Sequence, residues 1–212
     1  MLRIQPNSSL ELIDPIERNK KETLDSLWGD SQFLKNYLTP TRSNLYNEVI
    51  QIAQSKGYLQ NSKTVADVGC GPGYFLRFLA DAGFQGDLYG YDFSDSAMVQ
   101  GRRECPKASF FKHDIYNNLD LHSDLLFCME TLEHLNYPER ALRNLLNASD
   151  VVILTVPDGR KDSFRGHINF WSMESWKIFI KNFANEDDIF FKMINNNNLL
   201  AIIESKKGRL ST

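Results

Sequence analysis

Acidic and imidazole side chains that could move a proton occur in two segments of the chain. The segment CMETLEHL contains Glu130, Glu133 and His134 at spacings of three and four, which place them on one face if the backbone turns helically. His167 occurs in a later polar, glycine-containing loop, PDGRKDSFRGHINFW. Because the pKa of an imidazole lies near neutrality, we predict that His134 or His167 removes a proton from a bound acceptor. The structural alternative is that His134 caps a helix and His167 packs against Trp171.

A glycine-rich segment, VADVGCGPGYFLRFLA, leads from an apolar run into a helical pattern. Gly69, Gly71 and Gly73 are spaced two residues apart, follow Asp67, and have Cys70 between the first two. In this arrangement the backbone can approach a ligand at a helix N-terminus. The dinucleotide fingerprint has its third glycine one residue later, so this spacing argues against NAD.

Two further acids end strand patterns that follow the glycines. The run DLYGYD ends in Asp92, nineteen residues beyond Gly73, and the run SFFKHD ends in Asp114. An acid at the end of the first of these strands is placed to accept hydrogen bonds from both hydroxyls of a ribose. The alternative is that both acids are solvated strand ends, which are common where strands meet loops.

These segments resemble motif I and the following strand ends of class I S-adenosylmethionine-dependent methyltransferases. The resemblance implies a Rossmann-like fold and S-adenosylmethionine as the cofactor, with S-adenosylhomocysteine as its product. It also implies that Asp114 meets the exocyclic amine of adenine and that Ile115 packs on the ring. Phe93 then flanks the adenine, and the strand end that contains Met129 and Glu130 faces the methionine part.

The acids and histidines resemble a second pattern. Glu130, Glu133, His134 and the later His167 are similar to the magnesium site of small-RNA terminal 2′-O-methyltransferases, and the first half also resembles ubiquinone-pathway O-methyltransferases. Magnesium prefers oxygen ligands, and a magnesium site with two imidazole ligands would be unusual. We therefore assign no metal.

The leading prediction is methylation of oxygen, or else nitrogen, on a small polar acceptor such as a metabolite or a sugar-like compound. Three alternatives stay open: a magnesium-dependent methyltransferase of the 2′-hydroxyl type, a nicotinamide-dependent oxidoreductase on the same fold, and a non-catalytic module that only binds the cofactor.

The elements that must position these residues alternate along the chain. Helical spacings over 22–38 and 43–56 precede the first strand pattern. Strands are predicted at 64–68, 87–91, 108–112, 125–129 and 150–156, and helices at 74–82, 96–104, 138–146 and 173–185. Two last runs, 189–194 and 199–203, are joined only by the asparagines 195–198, a link too short for parallel strands. We predict an α/β fold with a doubly wound, mostly parallel seven-stranded sheet, an antiparallel hairpin at its end, and N-terminal helices.

Composition narrows the class of protein. The 212 residues carry a net charge of -3, so no positive field draws in nucleic acid or an anionic membrane. Three cysteines without metal-ligand spacing, short apolar runs and the lack of a signal-peptide pattern lead us to expect a cytoplasmic protein. We divide the chain into an N-terminal helical cap, 1–60, and a methyltransferase domain, 61–212. The acceptor and the oligomeric state stay open.

Overall fold

The computed structural model describes residues 19–204. Within that range the helices before the first strand are α1 (Lys21–Gly29), α2 (Ser31–Tyr37), α3 (Pro40–Ser55) and α4 (Tyr58–Asn61). The prediction of one continuous helix over 22–38 is wrong, because Asp30 interrupts it. Its backbone is extended, and its side chain accepts hydrogen bonds from the Gln32 and Phe33 amides. An aspartate in this position begins a new helix.

Strands and helices then alternate along the chain. They are β1 (Thr64–Val68), α5 (Tyr74–Asp81), β2 (Asp87–Asp92), α6 (Asp95–Glu104), β3 (Ala108–Lys112), β4 (Ser123–Met129), α7 (Pro138–Asn147), β5 (Ser149–Pro157), α8 (Met173–Lys181), β6 (Ile189–Ile194) and β7 (Asn198–Glu204). Every predicted strand is present. The helix predicted over 173–185 ends earlier, at Lys181, because asparagine at position 182 favours a helix end over a helix interior.

The strands form one seven-stranded sheet in the order β3-β2-β1-β4-β5-β7-β6. The first five strands pair in parallel, and β7 lies antiparallel between β5 and β6. The turn before β7 is tight because Asn195 and Asn196 both adopt a φ of 53°, a left-handed conformation that asparagine tolerates. This topology confirms the predicted fold class, including the terminal hairpin.

Two apolar clusters cover the two faces of the sheet. On one face α3 and α5 bring Val49 and Phe75 against Phe127 of β4. On the other face, α7 and α8 contribute Leu142 and the fully buried Trp176. Among residues 19–204, none of the helices combines the length and apolar character required to cross a bilayer. The division of the chain at residue 60 stays a prediction. Residues 1–18 of the predicted cap and 205–212 of the predicted domain lie outside the described residues.

Candidate active site

The glycine loop lies at the carboxyl end of β1, where the strand order reverses between β2 and β4. Ligands bind at such a switch point in open α/β sheets. Gly69, Gly71 and Gly73 all have positive φ values, of 79°, 50° and 74°. A Cβ at Gly69 would lie 2.5 Å from Thr131 Oγ1, and one at Gly73 would lie 2.7 Å from Phe110 Cζ. Both conformation and space therefore require glycine at these two positions.

Asp92 ends β2 beside this loop and is held by the backbone. One carboxylate oxygen accepts from the Gly71 amide and the other from the Ser94 amide, each at 2.9 Å. Burial raises the pKa of Asp92, and these amide hydrogen bonds oppose the rise. A carboxylate has about four acceptor positions, and the backbone amides, including that of Phe93, do not occupy all of them. Burial also raises the pKa of Asp67, in β1, to about 8, with a smaller contribution from Asp92.

The other residues predicted to bind the cofactor lie along the same edge of the sheet. The order β3-β2-β1-β4 sets their four strand ends side by side. Asp114 is exposed after β3 and accepts a hydrogen bond from the Tyr116 amide, while Ile115 is buried. The remaining members are the half-buried Phe93 after β2, buried Cys70 in the loop, buried Met129 at the end of β4, and Glu130. Their contacts with a cofactor stay predictions.

The structure brings Glu133, His134 and His167 together at the end of β4. The Glu133 side chain is only 1% exposed, and its Oε1 lies 3.9 Å from His134 Nε2 and 3.8 Å from His167 Nε2. One ligand atom from each residue lies within 4.8 Å of the other two. Neither Glu133 oxygen has a hydrogen-bond partner among residues 19–204. Burial raises the pKa of Glu133 well above its ordinary value, and Glu130 adds to the rise.

The expected common face for all the acids and His134 does not form. Only Leu132–His134 are helical, as a single 3-10 turn. Glu130 lies before that turn with a φ of 50°, which is uncommon for a residue with a side chain, and it is outside the three-residue cluster. Burial raises the pKa of Glu130 to about 7, and the charge of Arg42 opposes this rise.

Both histidine rings are oriented through their Nδ1 atoms. His134 Nδ1 lies 3.0 Å from the Gly166 carbonyl, and His167 Nδ1 contacts an Asp162 carboxylate oxygen. The two rings are 4.6 Å apart between centroids. The alternative that His167 packs against Trp171 is wrong. Trp171 packs instead with Trp176, in the apolar cluster on the face of the sheet that α7 and α8 cover.

Hydrogen bonds fix the loop after β5 onto the 3-10 turn. The Ile168 and Asn169 amides donate to the Glu133 carbonyl at 2.9 and 3.0 Å. The Asn169 side chain donates to the carbonyls of Leu132 and Leu135 at 3.2 and 2.7 Å. The cluster therefore sits where two chain segments distant in sequence are joined by hydrogen bonds.

The N-terminal helices lie over the glycine loop. The nearest atom to a Cβ at Gly71 would be Trp28 Cζ2, at 3.5 Å, and Trp28 packs edge-on against Tyr37. Asp25 of α1 accepts hydrogen bonds from the Ser94 hydroxyl at 2.6 Å and from the Ser96 amide at 3.2 Å. Helix α1 is thereby attached to the start of α6, next to Asp92.

Sequence reasoning missed Arg42. Its guanidinium lies 3.8 Å above the Tyr37 ring, and its buried Nη1 has no hydrogen-bond partner among the described residues. A half-buried guanidinium whose Nη1 lacks a partner within residues 19–204 suits an anionic ligand. A signal was present in the sequence, because Arg42 occupies the first turn of α3, where the helix dipole disfavours positive charge.

Comparison with known proteins agrees with the fold. A family model described as a methyltransferase domain matches residues 42–183. A putative methyltransferase, 235L, of Invertebrate iridescent virus 6 is 25% identical over 175 residues, covering 78% of this chain and 62% of the viral protein. A ubiquinone biosynthesis O-methyltransferase of Nitrosomonas europaea is 28% identical over 141 residues, covering 62% of this chain and 56% of that protein. The structure of the N-methyltransferase NodS from Bradyrhizobium japonicum WM9 with S-adenosyl-L-homocysteine superposes with a TM-score of 0.68 at 15% identity, covering 89% of this chain and 100% of NodS.

The chain belongs to the methyltransferase-domain family. This match confirms the predicted methyltransferase family, and the sheet topology confirms the predicted Rossmann-like fold. The nicotinamide-dependent alternative is thereby set aside. The chain spans 62% and 56% of the lengths of the two curated relatives named above.

Proposed function

We propose that this protein transfers a methyl group from S-adenosylmethionine to a hydroxyl of a small polar acceptor. The observation that carries this proposal is the cluster of Glu133, His134 and His167 beside the strand end where the methionine part is expected. Imidazoles at that place suit an acceptor whose proton must be removed. The name of the Nitrosomonas relative, an O-methyltransferase, supports oxygen as the acceptor atom.

The residues of the glycine loop and strand ends fit this cofactor. Asp92 would accept from the ribose hydroxyls with the lone pairs that its amide contacts leave free. Asp114 would meet the adenine amine, with Phe93 and Ile115 against the ring. Arg42 would pair with the carboxylate of the methionine part, because its buried Nη1 lacks a partner among residues 19–204. Bound S-adenosylmethionine supplies an electrophilic methyl group and a sulfur that leaves as a neutral thioether.

Within this site the chain's residues would align the acceptor and accept its proton. Holding the two reacting atoms in line contributes about 7–11 kcal/mol in well-oriented reactions. A general base adds about 10²- to 10⁴-fold in rate. His134 Nε2 and His167 Nε2 both lie near the buried Glu133 carboxyl, so either nitrogen is placed to take the proton of a hydroxyl bound there.

Substitution of the histidines tests this role. We expect H167N and H134N to lower methyl transfer to a panel of hydroxyl compounds by about 10²- to 10⁴-fold, with unchanged S-adenosylhomocysteine affinity by calorimetry. The matched control is H122N, because His122 is exposed and pairs with Asp150 at the opposite end of the sheet. Wild-type rates in both site variants would refute the base, and no methyl release to any acceptor or to water would favour a non-catalytic binding module.

A second candidate is a methyltransferase that uses a divalent cation, and the buried Glu133 carboxyl favours it. A buried carboxyl with two unpaired oxygens normally stays neutral unless a cation compensates its charge. Glu133, His134 and His167 would hold the ion, and an ion there lowers the pKa of an acceptor hydroxyl. One carboxylate and two imidazoles suit manganese or zinc better than magnesium.

Calorimetric titration with Mn²⁺ alone separates the two candidates. Stoichiometric binding by the wild type that is lost in E133Q supports the cation, whereas E139Q, at an exposed position in the first turn of α7, serves as a control for the charge change. Methyl transfer that survives dialysis against a chelator would leave the histidine base as the sole candidate.

We also propose a cytoplasmic location. The three cysteines are buried and unpaired in the structure, which suits a reducing compartment. Recovery of a full-length tagged protein in the soluble cell fraction with three reduced thiols would support this, and recovery as disulfide-linked species would contradict it.

A further inference from the structure

Asp162 lies in the loop after β5, five residues before His167. Its side chain is 7% exposed, and one oxygen contacts His167 Nδ1. The other oxygen accepts a hydrogen bond from the Phe164 amide at 2.9 Å, which fixes the rotamer of the carboxylate. The contact with the imidazole is therefore held in place by the loop itself.

The other acid of this loop is already paired. Asp158 makes two contacts with the Arg160 side chain, to Nε and Nη2, each at 3.0 Å. Among the described residues, Asp162 is thus the carboxylate of the loop that reaches a histidine ring through its Nδ1.

The chemistry of this pair determines which ring nitrogen carries hydrogen. An ionised carboxylate can only accept hydrogen bonds, so Nδ1 of His167 must be the donor. In the neutral ring Nε2 then carries no hydrogen, and that nitrogen is the one 3.8 Å from Glu133 Oε1. His134 is held in the same tautomer, with hydrogen on Nδ1, because the Gly166 carbonyl lies 3.0 Å from this nitrogen and can only accept a hydrogen bond.

We propose that Asp162 is a positioning residue, which fixes the tautomer and direction of His167 so that the lone pair of Nε2 faces the Glu133 carboxyl. This inference rests on the proposed function, in which that nitrogen accepts a proton or holds a cation. Asp162 itself does not meet the acceptor. It holds the neutral ring of His167 in one tautomer, whereas an imidazole in solution populates both.

The tautomer can be measured directly in the protein without a methyl acceptor. The chain has four histidines, so a long-range ¹H–¹⁵N spectrum of the imidazoles at pH 8 resolves each ring, and H167Q assigns the signal of His167. We expect the Nδ1–H form in the wild type and a mixture with the Nε2–H form in D162A. D150A is the matched control, because Asp150 contacts His122 in an exposed pair 2.9 Å apart.

A second readout uses Mn²⁺ alone. Loss of a residue that orients a metal-binding histidine lowers metal affinity by about 10- to 100-fold, so we expect D162A to bind Mn²⁺ that much more weakly, with D150A unchanged. Retention of the wild-type melting temperature in D162A guards against a folding defect.

The outcomes separate the inference from the proposed function. An unchanged His167 tautomer in D162A, or an Nε2–H ring in the wild type, overturns the positioning role even if H167N abolishes methyl transfer. If the wild type binds no Mn²⁺, the cation candidate fails, while the tautomer still decides the role of Asp162.

Discussion

The predicted role of Asp92 as the ribose-binding acid can be tested with one isosteric change. In D92N the side chain keeps its shape, but one accepting oxygen becomes an amide donor. Both wild-type oxygens already accept from backbone amides at 2.9 Å, so a donor at either position also opposes an N–H group. Counting the loss of one hydrogen bond to a charged group, we expect a cost of about 1.5–3 kcal/mol. This corresponds to about 10- to 150-fold weaker binding of S-adenosylhomocysteine.

Isothermal titration of D92N and D95N with S-adenosylhomocysteine provides the measurement and its control. Asp95 is close in sequence but exposed, and it pairs with Lys21 and Lys112 rather than with the glycine loop. D95N removes the same charge and should bind within about twofold of the wild type, because exposed ion pairs contribute little. Equal affinities of the two variants would refute the assignment of Asp92.

Two further predictions concern stability. Gly69 and Gly83 both have positive φ, which costs a residue with a side chain about 1–2 kcal/mol. A methyl at Gly69 meets Thr131 Oγ1 at 2.5 Å, whereas one at Gly83 has no heavy atom within 4 Å. In denaturant unfolding G69A should therefore lose more stability than G83A, and adding T131A should recover part of the difference; equal losses would contradict the steric argument. Because burial raises the pKa of Asp67 from 3.8 to about 8, the folded protein keeps a proton that the unfolded chain releases. The free energy of unfolding of the wild type should therefore fall as the pH rises from 3.8 to about 8. D67N cannot ionise at this position, so its stability relative to the wild type should increase over the same range. Parallel curves of stability against pH for the two proteins would show that Asp67 titrates normally.

The fold was predictable because its signals are local. A strand pattern needs only a few apolar residues, and the short link at 195–198 excludes a parallel connection by its length alone. The break at Asp30 was missed because the apolar spacing continues through it, while the capping hydrogen bonds depend on the backbone that the chain adopts there.

The cofactor side of the site was also accessible from the sequence. In a parallel sheet the carboxyl ends of strands share one edge, so the glycine loop, Asp92 and Asp114 could be placed near each other before any coordinates. Arg42 was not found in this way. It lies on a helix that precedes the sheet, and its proximity to Tyr37 and to the acids after β4 arises from packing between elements distant in sequence.

The sequence by itself determined the alternating elements, the terminal hairpin and the edge at which a nucleoside-type cofactor is expected, because periodicity, glycine spacing and link length are properties of neighbouring residues. Only the tertiary structure decided that Glu133 is buried between two imidazoles and that Asp162 contacts one of them. The physical reason is that the loop carrying His167 is joined to the turn carrying His134 by hydrogen bonds between segments far apart in the chain, and the raised pKa of Glu133 follows from the burial that this joining creates.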